Sequence, residues 1–130
     1  MGTGKTRTVI DAVAELWRRR TIDTLIVVCP APVRSVWADP NPVLGEVAKW
    51  MPDDVPYDLL EYRAATRLPP PHGRLTVLVT NPEFLRRSVR VGRKRAYPKI
   101  ELLKAWLADR RAMLVADEAW QYKNPQAQQT

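Results

Sequence analysis

Two short stretches at opposite ends of the chain carry side chains suited to phosphate chemistry. Gly2, Thr3, Gly4, Lys5 and Thr6 open the sequence, and Asp117-Glu118 stand near its close. Gly4-Lys5-Thr6 is the end of the pattern G-x-x-x-x-G-K-[ST], a phosphate-binding loop. Gly2 and Gly4 allow successive backbone N–H groups to curl around a phosphate. Lys5 would set a point charge on the β- and γ-phosphates, and the Thr6 hydroxyl could ligate magnesium. A helix beginning near Thr6 would add its partial positive charge at the same spot. Asp117 and Glu118 supply the complement. Asp117 would hold magnesium through water, and Glu118 would orient and deprotonate an attacking water. Each half alone also fits an ordinary element, a small-residue turn or an acidic turn. Together, in this order and each in its required context, they point to an ATP-hydrolysing site.

Such a site needs a strand ahead of the acids and a helix behind the glycines, and the apolar pattern supplies both. Ala112 to Ala116 is an apolar run that ends on Asp117, so the acids should lie at the working edge of a parallel sheet. Arg7 to Arg20 has Ile10, Val13, Ala14 and Trp17 at i, i+3, i+4 and i+7, the period of an amphipathic helix, with Arg18-Arg19-Arg20 at its negative end. Thr24 to Cys29 and Leu75 to Thr80 are β-branched apolar runs, read as strands buried on both faces. Tyr57 to Tyr62 is a weaker strand. A helix is predicted from about Pro32 with Val33, Val36 and Trp37 inward, broken by Pro40 and Pro42, with a second piece running to about Trp50. Leu68 to Gly73, with three consecutive prolines, is a loop. Asn81-Pro82 reads as a helix start, and Ile100, Leu103 and Leu107 mark another helix. Ser88 to Pro98 lacks apolar periodicity and is expected to be a mobile insertion. Strands alternating with helices predict an α/β domain built on a mainly parallel sheet.

Composition narrows the classes further. The chain has 130 residues, the size of one domain, and a hydrophobic fraction of 45%, which argues against wholesale disorder. A single cysteine, Cys29, offers neither an intramolecular disulfide nor a metal cluster and is expected to be a buried small side chain. His72 is likewise single and is assigned no chemistry. No apolar stretch reaches transmembrane length and no signal-peptide core opens the chain, so an intracellular protein without a membrane partner is expected. The net charge of +7 is localised, because Glu83 to Arg111 holds ten Lys/Arg against three acids while the remainder balances. That segment is either a footprint for a polyanion or a solvated insertion.

At this point the sequence resembles a known family: the first RecA-like domain of superfamily-two helicases, most closely the Swi/Snf-related branch of DNA-dependent ATPases. MGTGKT is similar to the first family motif. LIVVCPAPVRSVWADP is similar to the next, a strand, a Cys-Pro turn and a helix carrying Trp. VLVTNPEFLRR resembles the strand-and-turn motif often written Thr-Ser-Tyr-Glu, and LVADEAWQYKNPQAQQT resembles the Asp-Glu-Ala-His segment with its Lys-Asn-Pro continuation. The likeness spans nearly the whole chain, and that continuation is its most specific part.

The resemblance implies a RecA-like P-loop NTPase fold, a mainly parallel sheet flanked by helices, over residues 1–130 with a basic insertion at 88–98. It implies ATP and Mg2+ as cofactors, with Gly2, Thr3, Gly4, Lys5 and Thr6 on the phosphates. Thr6 and Asp117 would serve the metal, and Lys5, Asp117 and Glu118 the catalysis. Pro30, Arg34, Thr80 and Asn81 match segments that contact the nucleic-acid backbone, and Arg93, Lys94 and Arg95 of the basic segment join them as candidates. The implied partners are DNA, duplex and bound without regard to sequence, and a second RecA-like domain. Two departures stand out. Trp120 replaces the family's His or Gln, and an indole neither accepts a hydrogen bond nor titrates. The motifs expected ahead of Met1 and after Thr130 are not in the chain, so a partial domain truncated at both ends is expected. A translocase or remodeller motor is the leading expectation. A strand-separating helicase or restriction-system motor on the same lobe, and a non-hydrolysing binding remnant, remain open beside it.

Overall fold

The computed structural model describes residues 3–64 and 66–117. Its first element, helix α1 (Thr3–Arg18), buries Ile10, Val13 and Ala14 along the predicted stripe and leaves Trp17 half-buried. The helix begins three residues ahead of Thr6, so Gly4 is already helical. It closes on Arg20, whose φ of 61° is the left-handed conformation that glycine usually supplies at a helix end. Arg20 N–H donates to the Trp17 carbonyl and Thr21 N–H to the Leu16 carbonyl, both at 2.9 Å, satisfying two carbonyls of the last turn.

Four parallel strands follow: β1 (Thr24–Val28), β2 (Tyr57–Glu61), β3 (Leu75–Thr80) and β6 (Ala112–Ala116), in the order β2-β3-β1-β6. All six residues of β3 are buried, as expected of a strand covered on both faces. The mainly parallel α/β architecture is therefore as the sequence predicts. On one face Leu25, Val27, Leu75, Val77 and Val79 pack against α1, α2 (Arg34–Ala38) and α3 (Glu46–Trp50). On the other face Ile26 and Leu78 pack with Phe84 of α4 (Pro82–Leu85) and with Leu103 and Trp106 of α5 (Pro98–Leu107). Tyr62 meets Phe84 edge-to-face there, with ring centroids 4.9 Å apart.

The helix expected from about Pro32 is instead a 3-10 turn (Ala31–Val33) followed by α2, and one of its three expected inward residues faces out. Val33 and Trp37 face inward, but Val36 is exposed. Val33 and Trp37 are four apart and define the buried stripe, which leaves Val36, one residue before Trp37, about 100° off it. Pro40 and Pro42 interrupt the helix as predicted, and the connection back to α3 is tight. A Cβ on Gly45 would lie 1.8 Å from the Asp39 carbonyl oxygen, so the approach admits only glycine.

The segment expected to be an irregular insertion is a β-hairpin, β4 (Val89–Val91) and β5 (Lys94–Ala96), apart from the main sheet. Its two-residue turn has Gly92 at φ 65° followed by Arg93, the Gly-X pattern that matches the twist of a hairpin. Charged residues hide this strand pair from an apolar periodicity scan. Among the described residues, no helix is long and apolar enough to cross a membrane.

Candidate active site

The strand register gathers the candidate residues at one edge. Val28 pairs with Thr80 on one side and Ala116 on the other, so the three strands end level. Cys29, Asn81 and Asp117 each stand one residue beyond. Cys29 N–H still donates to the Thr80 carbonyl at 3.0 Å, and Asp117 N–H to the Val28 carbonyl at 2.8 Å. Asp117 is thus fixed through its own backbone at the carboxyl end of β6. By strand alternation it points to the face that carries α1. Helix α1 packs on that face through Ile10, Val13 and Ala14 and carries Lys5 and Thr6 in its first turn. Lys5 is exposed and Thr6 half-buried.

One oxygen of Asp117 is held by a partner that sequence reasoning did not name for this purpose. Trp37 Nε1–H donates to Asp117 Oδ2 at 2.7 Å, across 80 residues of sequence. The Trp37 ring is 2% exposed, so its N–H has to find an acceptor inside the protein. A buried indole on the helix that follows β1, facing an acid at the end of the neighbouring strand, was the available signal. This contact orients the carboxylate through Oδ2. A carboxylate and a hydroxyl such as that of Thr6 are donor types that fit magnesium, which takes one or two carboxylates together with substrate phosphate oxygens and waters. No group of three or more His, Cys, Asp or Glu suited to a metal occurs among the described residues.

The candidate nucleic-acid residues occupy the same edge beside Asp117. Pro30 precedes the short 3-10 turn that leads into α2, and Arg34 opens that helix. Arg34 Nη1 donates to Asn81 Oδ1 at 2.9 Å, Asn81 Nδ2 donates to Glu83 Oε1 at 2.8 Å, and Arg34 Nε lies 3.8 Å from Glu61 Oε1. Asn81 and Thr80 are both buried, and the Thr80 hydroxyl and Arg34 Nε have no hydrogen-bond partner. The Cys29 thiol donates to the Thr80 carbonyl at 3.8 Å, and Cys29 is buried as expected. Arg34 is the cation of this group, with a quarter of its side chain exposed and its Nε buried.

Arg93, Lys94 and Arg95 are all exposed on the hairpin. Arg90 and Arg95 are direct cross-strand partners, a like-charge pairing that disfavours the hairpin unless an anion lies over it. Arg95 Nη1 donates to Ser88 Oγ at 2.9 Å. Gly2, Glu118 and Trp120 lie outside the described residues. No protein-family model, no curated protein and no solved structure matches the chain.

Proposed function

We propose that the chain is the ATP-binding lobe of a DNA-dependent ATPase of the Swi/Snf-related type, coupling ATP hydrolysis to movement on duplex DNA. The observation that carries this reading is the Asp117 carboxylate, held by Trp37 at the carboxyl end of β6, on the sheet face that also carries α1, whose first turn contains Gly4-Lys5-Thr6. In this reading the backbone N–H groups of that turn and the Lys5 ammonium receive the β- and γ-phosphates. Magnesium, when bound by Thr6 and Asp117, would neutralise charge on the phosphate oxygens. Glu118, directly after Asp117, takes the proton of the attacking water. The hydrogen bond from Trp37 orients the Asp117 carboxylate, which would serve the metal, before substrate arrives. Arg34 and the basic hairpin supply sequence-independent contacts to DNA phosphates.

The test uses the full-length protein. Glu118→Gln is expected to lower DNA-stimulated hydrolysis by about 10²–10⁴ while ATP still binds, since it removes the base and leaves the phosphate cradle. Lys5→Ala is expected to weaken ATP binding itself. Near-normal turnover by the Glu118→Gln protein would assign the water to another residue and overturn this arrangement.

A further inference from the structure

At the opposite edge, where the strands begin, lies a cavity of about 530 Å³ that the proposed nucleotide site does not use. Its floor is set by residues standing directly ahead of three strands: Asp23 before β1, Arg74 before β3 and Arg111 before β6. Arg18 and Arg20 reach it from the end of α1, and Arg110 from beyond α5. Five arginines therefore line it against one acid, Asp23, whose charge acts on Arg110. Asp23 Oδ1 accepts from the Thr24 hydroxyl at 2.8 Å and from Arg111 N–H at 3.1 Å.

The arginines divide into two sets. Arg18 pairs with Asp54 at 2.7 Å and Arg74 with Asp58 at 3.2 Å, where His72 Nε2 also lies 2.7 Å from the second oxygen of Asp58. Arg20, Arg110 and Arg111 make no ion pair among the described residues. Arg110 is the most telling. It is wedged against the Trp106 ring, 3.9 Å from the centroid, and donates only to neutral oxygens: Thr24 Oγ1 at 3.0 Å, Thr76 Oγ1 at 3.3 Å and the Pro69 carbonyl at 2.6 Å. Its Nε is buried without a partner. Partial burial of the guanidinium lowers its pKa, and the nearby charges of Asp23 and Asp109 offset this only in part. Arg20 adds a second irregularity. A non-glycine residue in the left-handed region costs about 1–2 kcal/mol, and such strain is retained most often where a side chain has a task.

We propose that this cavity binds a phosphate-bearing anion, held by Arg20 and Arg111 and balanced against the fixed charge of Arg110. The volume suits a pyrophosphate or a nucleotide-sized ligand. Guanidinium forks on two sides match the paired oxygens of a phosphate. The phosphate could belong to a small free anion or to a nucleic-acid backbone. Because the cavity lies at the other end of the sheet from Asp117, the proposal stands independently of the nucleotide reading.

The test is a calorimetric titration of inorganic pyrophosphate into the full chain carrying Lys5→Ala, which removes the principal cation of the other candidate phosphate site. Pyrophosphate is expected to bind. Adding Arg20→Gln and Arg111→Gln is expected to weaken it about tenfold or more, as removal of at least one charge-assisted hydrogen bond should. In a parallel titration that needs no cavity variant, the Arg20 and Arg111 Nε–H resonances are expected to shift on addition of pyrophosphate. No binding, or binding with neither resonance moved, overturns the proposal. A short DNA duplex that displaces pyrophosphate identifies the source as backbone phosphate, and retention of pyrophosphate identifies it as a small anion. Both results support phosphate recognition here.

Discussion

The two edges of the sheet treat charge in opposite ways. At the carboxyl edge the charged groups have partners, Asp117 in Trp37 and Arg34 in Asn81 and Glu61, although Arg34 Nε and the Thr80 hydroxyl stay without a hydrogen bond. At the amino edge Arg20, Arg110 and Arg111 form no ion pair among the described residues, and five lining arginines face one lining acid, Asp23. The first arrangement fixes geometry before any ligand arrives. The second stores positive potential and leaves it for a ligand to neutralise. A single sheet thus carries a hydrogen-bonded edge and an electrostatically open one, separated by the length of its strands.

Breaking the carboxyl edge should have the largest effect. Trp37→Ala removes a fully buried ring and is expected to cost about 3–5 kcal/mol of folding stability, read by denaturant unfolding. Trp37→Phe keeps most of the ring and deletes the N–H, so a loss of about 1–3 kcal/mol is expected, with weaker magnesium dependence of ATP binding. If Trp37→Phe leaves both unchanged, the 2.7 Å hydrogen bond does not orient Asp117. Gly45→Ala tests the same edge indirectly, since a Cβ 1.8 Å from the Asp39 carbonyl must displace the connection that follows α2. A loss of about 3 kcal/mol is expected, with pyrophosphate binding at the amino edge retained by the folded fraction.

The amino edge responds with the opposite sign. Arg20→Gly relieves the left-handed strain and is expected to raise stability by up to about 1 kcal/mol, while weakening pyrophosphate binding. A rise in Tm with unchanged anion binding would separate the strain from the site. The smallest effect on folding belongs to the hairpin. Replacing Arg93, Lys94 and Arg95 together with Gln should leave stability within about 0.5 kcal/mol of the parent, as for exposed positions. It should make the salt dependence of DNA affinity shallower, by up to roughly 0.9 for each phosphate that is no longer neutralised. An unchanged slope on two duplexes of different sequence would leave DNA binding to Arg34.

Much of the fold was legible because its strongest signals are local. Thr24 to Val28 and Leu75 to Thr80 are continuous apolar runs, and Ile10, Val13 and Ala14 mark one face of α1. The hairpin was not legible, since its strands are three residues long, Val-Arg-Val and Lys-Arg-Ala, and lie almost wholly in solvent. Asp117 was found because it ends a strand. Its bond to Trp37 joins residues 80 apart and depends on two strands lying side by side. The amino-edge cavity was missed for a related reason. Counting charge by segment singled out Glu83 to Arg111, whereas Arg18, Arg20, Arg74, Arg110 and Arg111 come together only when three strand starts align.

Cys29 turns the carboxyl edge into something that can be timed. Its thiol sits at the end of β1, 1% exposed and directed at the Thr80 carbonyl. A reagent cannot reach that sulfur while the ends of β1 and β3 remain together. Alkylation of the chain's single cysteine therefore acts as a clock for the local separation of these strands. When opening and closing are fast, the ratio of its rate to that of a free thiol gives the fraction of time the edge stands open. A nucleotide that clamps the edge would slow the clock, and an anion held at the far cavity would leave it running.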